Sequence, residues 1–170
     1  MVVSASLEPD APVNYTDLGE VLTTAVEAQL PPDERNDTAV TVTFDETAVG
    51  TFTAEPSANI STLTQTLTDE ACTGTTTCNV TLVGDGDARR RLETSTALEY
   101  LIARSFDPEA QVAQIGTVLT ESADKEEGVS DAGVKSSAIT ANVAIETQVA
   151  PRRAAPGHNL CAWVPRGLPS

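Results

Sequence analysis

Apolar and polar positions along this chain alternate between a helical period and a strand period. Leu18, Val21, Leu22, Ala25 and Val26 recur at helical spacing and predict an amphipathic helix over residues 16–29. Thr16 is its expected N-cap, Asp17 suits the first turn, and Pro31-Pro32 ends it. Ahead of it, Val3, Ala5 and Leu7 alternate as a short strand. Beyond it, Val40, Val42 and Phe44 alternate with Thr41 and Thr43 as a half-buried strand, Asp45-Glu46 begins a turn, and residues 49–54 form another strand. Ser57 is placed to cap a second helix whose apolar face is Ile60, Leu63, Leu67 and Ala71. Two strands follow, residues 79–83 and 92–102, separated by the turn signal Gly84-Asp85-Gly86-Asp87. Asp107-Pro108-Glu109 predicts a third helix start, with Val112, Ile115, Val118 and Leu119 facing inward. Residues 122–136 read as a polar loop, and Ile139, Ala141, Val143, Ile145 and Val149 as a final strand.

From residue 49 onward this order is strand, helix, strand, strand, helix, strand. It predicts an α+β fold, a ferredoxin-like split βαβ sandwich with helices on one face of an antiparallel sheet and the final strand near its middle. An extra βαβ unit precedes it. The expected organisation is an N-terminal βαβ unit over 1–46, either part of another module or a sheet extension. A ferredoxin-like domain over 47–150 follows, then a disordered Pro- and Arg-containing tail over 151–170.

One pattern recurs. Glu8-Pro9-x-Ala11 followed by Asn14-Tyr15-Thr16, Leu18 and Leu22 is matched by Glu55-Pro56-x-Ala58 followed by Asn59-Ile60-Ser61, Leu63 and Leu67. Each copy runs on into a Val-Thr-apolar strand, Val40-Thr41-Val42 and Val80-Thr81-Leu82, as one supersecondary element used twice would. Each copy also carries an N-x-S/T sequon. Asn14, Asn36, Asn59 and Asn79 all occupy sequons, four of the six asparagines in the chain. These are candidate N-glycosylation sites and point to an extracellular surface.

Composition narrows the functional classes. The 170 residues suit one domain, and with only 4% aromatic residues the core must be built from Val, Leu, Ile and Ala. Net charge is −15, and the first 150 residues hold all 25 acids against seven of the ten bases. That excludes nucleic acid, whose phosphates need clustered Lys and Arg, and disfavours an anionic membrane surface. No run of 18 apolar residues occurs, so direct membrane insertion is not expected. The first residues lack the basic and long apolar regions of a signal peptide, so either this is a segment of a longer secreted chain or the sequons are incidental.

Candidate chemistry is sparse. Cys72 and Cys78 enclose five small residues and can close as a disulfide or remain two thiols; their spacing is not that of a zinc knuckle. His158 is the only imidazole and stands near Cys161 in the tail, so neither a metal site nor a Cys–His or Ser–His nucleophile is expected. Asp85-x-Asp87 lacks the rest of an EF-hand, and Arg89 to Arg91 would repel a cation beside it. No cofactor motif is present, and the chain reads as a non-enzyme. Arg89-Arg90-Arg91-Leu92 is the sharpest local signal: it suits proteases of the furin or kexin type, or pairs with neighbouring acids.

Arg-Arg-Arg-Leu between two middle strands, after a helix and a Val-Thr strand, resembles extracellular SEA-like repeat modules in cell-surface proteins of algae and other protists. The resemblance covers residues 49–149. It implies a ferredoxin-like fold that can be cleaved in its central hairpin. The self-cleavage motif of that family, Gly followed by Ser and a Val run, is absent from residues 84–92, so only cleavage in trans carries over. The expected function is a non-catalytic structural or adhesion module of an extracellular glycoprotein, with extracellular proteins or glycans as partners. The alternative is a protease propeptide or inhibitor-like domain, against which the internal position of the basic site weighs.

Overall fold

The computed structural model describes residues 2–5, 12–83 and 95–147. The chain forms a mixed α+β fold: β1 (Val2–Ala5), α1 (Tyr15–Gln29), β2 (Thr38–Ala54), α2 (Ile60–Cys72), β3 (Thr77–Leu82), β4 (Thr96–Phe106), α3 (Ile115–Asp124) and β5 (Val129–Thr147). The five strands make one sheet in the order β1-β5-β2-β4-β3, and every neighbouring pair is antiparallel. Each helix therefore joins two strands that have one antiparallel strand between them. β2 is the central strand, and the final strand, β5, is an interior one directly beside it, near the middle of the sheet. The tail over 151–170, Asp85, Asp87, Arg89 to Leu92 and the Glu8–Ala11 stretch of the first repeat copy lie outside the described residues.

Strand alternation sends one set of side chains under the helices. From β2 these are Val42, Phe44, Ala48, Phe52 and Ala54, and from β4 Leu98, Tyr100, Ile102 and Phe106. They divide into two clusters. Under α2 and α3 lie Ala48, Phe52, Leu63, Leu67, Tyr100, Ile102, Val118 and Leu119. Under α1 lie Tyr15, Val26, Val42, Phe44, Phe106, Ile139, Ala141 and Val143. Three rings, Tyr15, Phe44 and Phe106, meet edge-on or tilted in the second cluster at centroid distances of 4.7–5.9 Å. Gly50 lets α3 approach the sheet, because a Cβ there would sit 2.5 Å from Leu119 Cδ2.

The structure corrects several local expectations. Asp45-Glu46 makes no turn: β2 is one 17-residue strand from Thr38 to Ala54 and passes through the expected 46/47 boundary without a break. β1 pairs with β5 from Val2↔Asn142 to Ala5↔Ile139, so the residues expected as an N-terminal unit share this sheet. The third helix starts at Ile115, eight residues after Asp107. Residues 107–110 form a single turn instead, with Ala110 N–H donating to Asp107 C=O. The reason is packing. Val112 and Ala110 belong to the cluster under α1, whereas Ile115, Val118 and Leu119 belong to the one under α2 and α3, and one straight helix cannot serve both. The polar stretch 122–136 is not a loop: α3 runs to Asp124, and β5 begins at Val129, paired with Ala54. Register shifts at Val49/Gly50 and Thr51/Phe52 accommodate Gly133 at φ 95°.

Candidate functional site

The residues singled out for chemistry take distinct places in this frame. Asn14 and Asn59, the matched asparagines of the repeat, are the N-caps of α1 and α2, in place of Thr16 and Ser57. Asn59 Oδ1 accepts from Ser61 N–H at 3.1 Å and Thr62 N–H at 3.2 Å. Asn14 Oδ1 accepts from Asp17 N–H at 3.3 Å, and its Nδ2 donates to Asp17 Oδ2 at 2.7 Å. Capping uses the oxygen of the amide and glycosylation its nitrogen, so at Asn59 the two roles are chemically compatible. Asn and a Ser or Thr close behind it form a helix-start signal as well as a sequon, and the repeat carries both meanings at once.

The other two sequons lie elsewhere. Asn36 is exposed in the turn between α1 and β2, where Arg35 donates to Leu30 C=O and Ala28 C=O and so covers the carbonyl end of α1. Asn79 is exposed on β3, the edge strand farthest from β1. All four sequon asparagines are therefore solvent-exposed.

Cys72 and Cys78 form a disulfide with Cα atoms 5.4 Å apart. It ties the last residue of α2 to the second residue of β3. Thr75 Oγ1 donates to Cys72 C=O inside the loop it closes.

On the sheet face away from the helices, Asn79, Ala103 and Thr47 stand in one row across β3, β4 and β2. The next row holds Thr77, Ser105 and Asp45. The short side chain of Ala103 leaves a shallow groove of about 390 Å³ between these residues. Ser105 Oγ donates to Asp45 Oδ1 at 2.5 Å, and Asn142 Nδ2 donates to Asp45 Oδ2 at 2.6 Å. Asp45 is thus held flat against the sheet by neighbours on both sides.

Glu46 and Arg104, neither of which stood out in the sequence reading, meet at the seam between the two apolar clusters. They face each other across β2 and β4, 5% and 2% exposed. Arg104 Nε and Nη2 reach Glu46 Oε2 at 2.7 and 2.6 Å, while Nη1 donates to Ala71 C=O at 3.1 Å and Nη2 to Ala113 C=O at 2.6 Å. The guanidinium therefore closes the carbonyl end of α2 and fixes the approach to α3. Burial, and after it the Glu46 carboxylate, push Tyr15 up to about 12. A signal for the pair was present: one acid and one base interrupt otherwise apolar alternations, Val42-Phe44-Glu46-Ala48 and Tyr100-Ile102-Arg104-Phe106.

A second groove, of about 620 Å³, runs between α1 and the 107–110 turn. Glu20, Asp107 and Glu109 line it with no base among them, and Thr16 Oγ1 donates to Pro108 C=O across one end. Among the described residues no group of three or more His, Cys, Asp or Glu side chains is placed to hold a metal, and no helix is long and apolar enough to cross a membrane. Comparison of the chain with protein-family models, curated proteins and solved structures finds no match.

Proposed function

We propose that this chain is a non-catalytic structural or adhesion module of an extracellular glycoprotein, with a ferredoxin-like, SEA-like frame. The observation that carries the reading is the exposure of all four sequon asparagines on one disulfide-bonded domain. A disulfide suits an oxidising compartment, where N-glycans are also added. The order β5-β2-β4-β3, with α2 and α3 as its crossovers, supports the ferredoxin-like reading, with β1 and α1 as an addition at one edge. The buried charges suit a scaffold role: Glu46 pairs with Arg104, whose guanidinium also donates to the Ala71 and Ala113 carbonyls. Its partners would be other extracellular proteins or glycans.

Processing in trans at Arg89-Arg90-Arg91-Leu92 belongs to the same proposal. β3 and β4 on either side of that segment pair with each other from Thr77↔Ser105 to Leu82↔Tyr100. A cut chain would therefore stay together through sheet pairing and the shared core.

The test is the intact mass of the chain secreted from eukaryotic cells, before and after enzymatic deglycosylation and reduction. Glycan mass at two or more sequons, with two hydrogens gained on reduction, supports the proposal. An unmodified, fully reduced chain refutes it. Two co-purifying fragments meeting at Arg91 and Leu92 would add the processing step.

A further inference from the structure

We propose that the first sugars of an N-glycan on Asn79 fold back over the sheet and occupy the groove above Ala103; this rests on the glycoprotein reading above. Three observations converge on the groove. First, Asn79 forms part of its wall, so a sugar on Nδ2 starts inside it. Among the four sequons only Asn79 lies on a strand; Asn14 and Asn59 stand at helix starts and Asn36 in a turn. The side chain points away from the helices, because Cys78, Val80 and Leu82 on the same strand pack into the core beneath.

Second, the size fits. At about 390 Å³ the groove is within the roughly 300–1,000 Å³ range of ligand clefts. From Asn79 across Ala103 to Thr47 is two interstrand steps, about 10 Å, the reach of a short oligosaccharide. Third, the lining suits a sugar. Thr47, Thr77 and Ser105 present hydroxyls, and the Ser105 hydroxyl, donating to Asp45, keeps its lone pairs for a sugar O–H. Ala103 offers an apolar floor for the C–H face of a pyranose ring. Leu101 and Val49, paired in the following row, continue that apolar strip.

The arrangement has a structural consequence. β3 is an edge strand, and its outer backbone groups are a template for pairing with another chain. A glycan rooted at Asn79 and running inward over β4 ties this edge strand to its neighbour and restrains opening of the β3–β4 ladder.

The test uses the full chain secreted from eukaryotic cells. Peptide mapping first establishes whether Asn79 is occupied. Nuclear Overhauser contacts from the first sugars to the Ala103 methyl are then sought. Hydrogen exchange of β3 and β4 amides is compared before and after trimming to a single sugar, and against Asn79→Gln. Expected are sugar contacts to Ala103 and Thr47, and β3 exchange slowed roughly tenfold by the intact glycan. An Ala103→Gln variant, filling the groove, should abolish both effects while leaving occupancy unchanged. An occupied Asn79 with no such contacts and unaltered exchange overturns the inference and leaves the glycoprotein reading standing. So does an empty Asn79 beside glycans on Asn14, Asn36 or Asn59. A chain without any glycan overturns both.

Discussion

Replacing Arg104 with Met tests how the two halves of the core are joined. The Arg104 side chain is fully buried, and its removal leaves the Glu46 carboxylate, 5% exposed, without its cation. Stranding one member of a buried pair costs about 3–5 kcal/mol. The variant also orphans the Ala71 and Ala113 carbonyls, each worth about 1–3 kcal/mol where water cannot reach it. Domains of this kind have about 5–15 kcal/mol of total stability, so the change removes a large fraction of it. With a urea m-value of about 2 kcal/mol/M, the midpoint should fall by about 1.5–2.5 M or more. Far-ultraviolet circular dichroism during urea unfolding provides the assay, with Glu46→Met and the double variant completing a cycle. Because the double variant strands neither charge, its cost should fall about 3 kcal/mol below the sum of the singles. If Arg104→Met costs under about 1 kcal/mol, or the singles add, then the pair does not join the clusters as described.

Four further outcomes follow from particular residues. Tyr15 is held neutral up to about 12. Its raised value gives stability that is complete below the unfolded value near 10 and lost as pH rises through 12, about 3 kcal/mol in all; ultraviolet absorbance should show it ionising late, and ionisation near 10 in the folded protein would refute this. Asn59→Ala in unglycosylated protein should cost about 1 kcal/mol of thermal or urea stability while Asn59→Asp costs little, which separates the capping role from any glycan. Replacing both Cys72 and Cys78 with Ser should lower stability by about 2 kcal/mol, the entropy of the short loop they close, measured against the oxidised parent. Ser122 Oγ is fully buried with no hydrogen-bond partner among the described residues, so Ser122→Ala should leave stability unchanged or raise it by about 1 kcal/mol, and a loss of more than that would show a hidden bond.

Where the determinants of an element are local, the sequence alone located it. Helical spacing at Leu18, Leu22 and Val26 placed α1 to within a residue, and Ile60, Leu63, Leu67 and Ala71 placed α2, because each helix buries one face of its own period. Cys72 and Cys78 were close enough in sequence to suggest their bond. The four sequons were legible as motifs, although the two helix-capping roles hidden in them were not.

What only tertiary structure decided depended on partners remote in sequence. Asp45 and Glu46 look like a turn when read locally, yet they lie in mid-strand because Ser105, Asn142 and Arg104 satisfy their charges from neighbouring strands. The start of α3 was moved to Ile115 by two separate clusters competing for one apolar stretch. The polar first half of β5 is a strand because β2 offers it a ladder of backbone bonds, interrupted only by two register shifts, and its outer face meets no core. Sheet order, and with it the row of Asn79, Ala103 and Thr47, exists only once three crossovers have interleaved five strands. A single chain pattern encodes what each segment buries, whereas which segments it is buried against is a property of the assembled sheet.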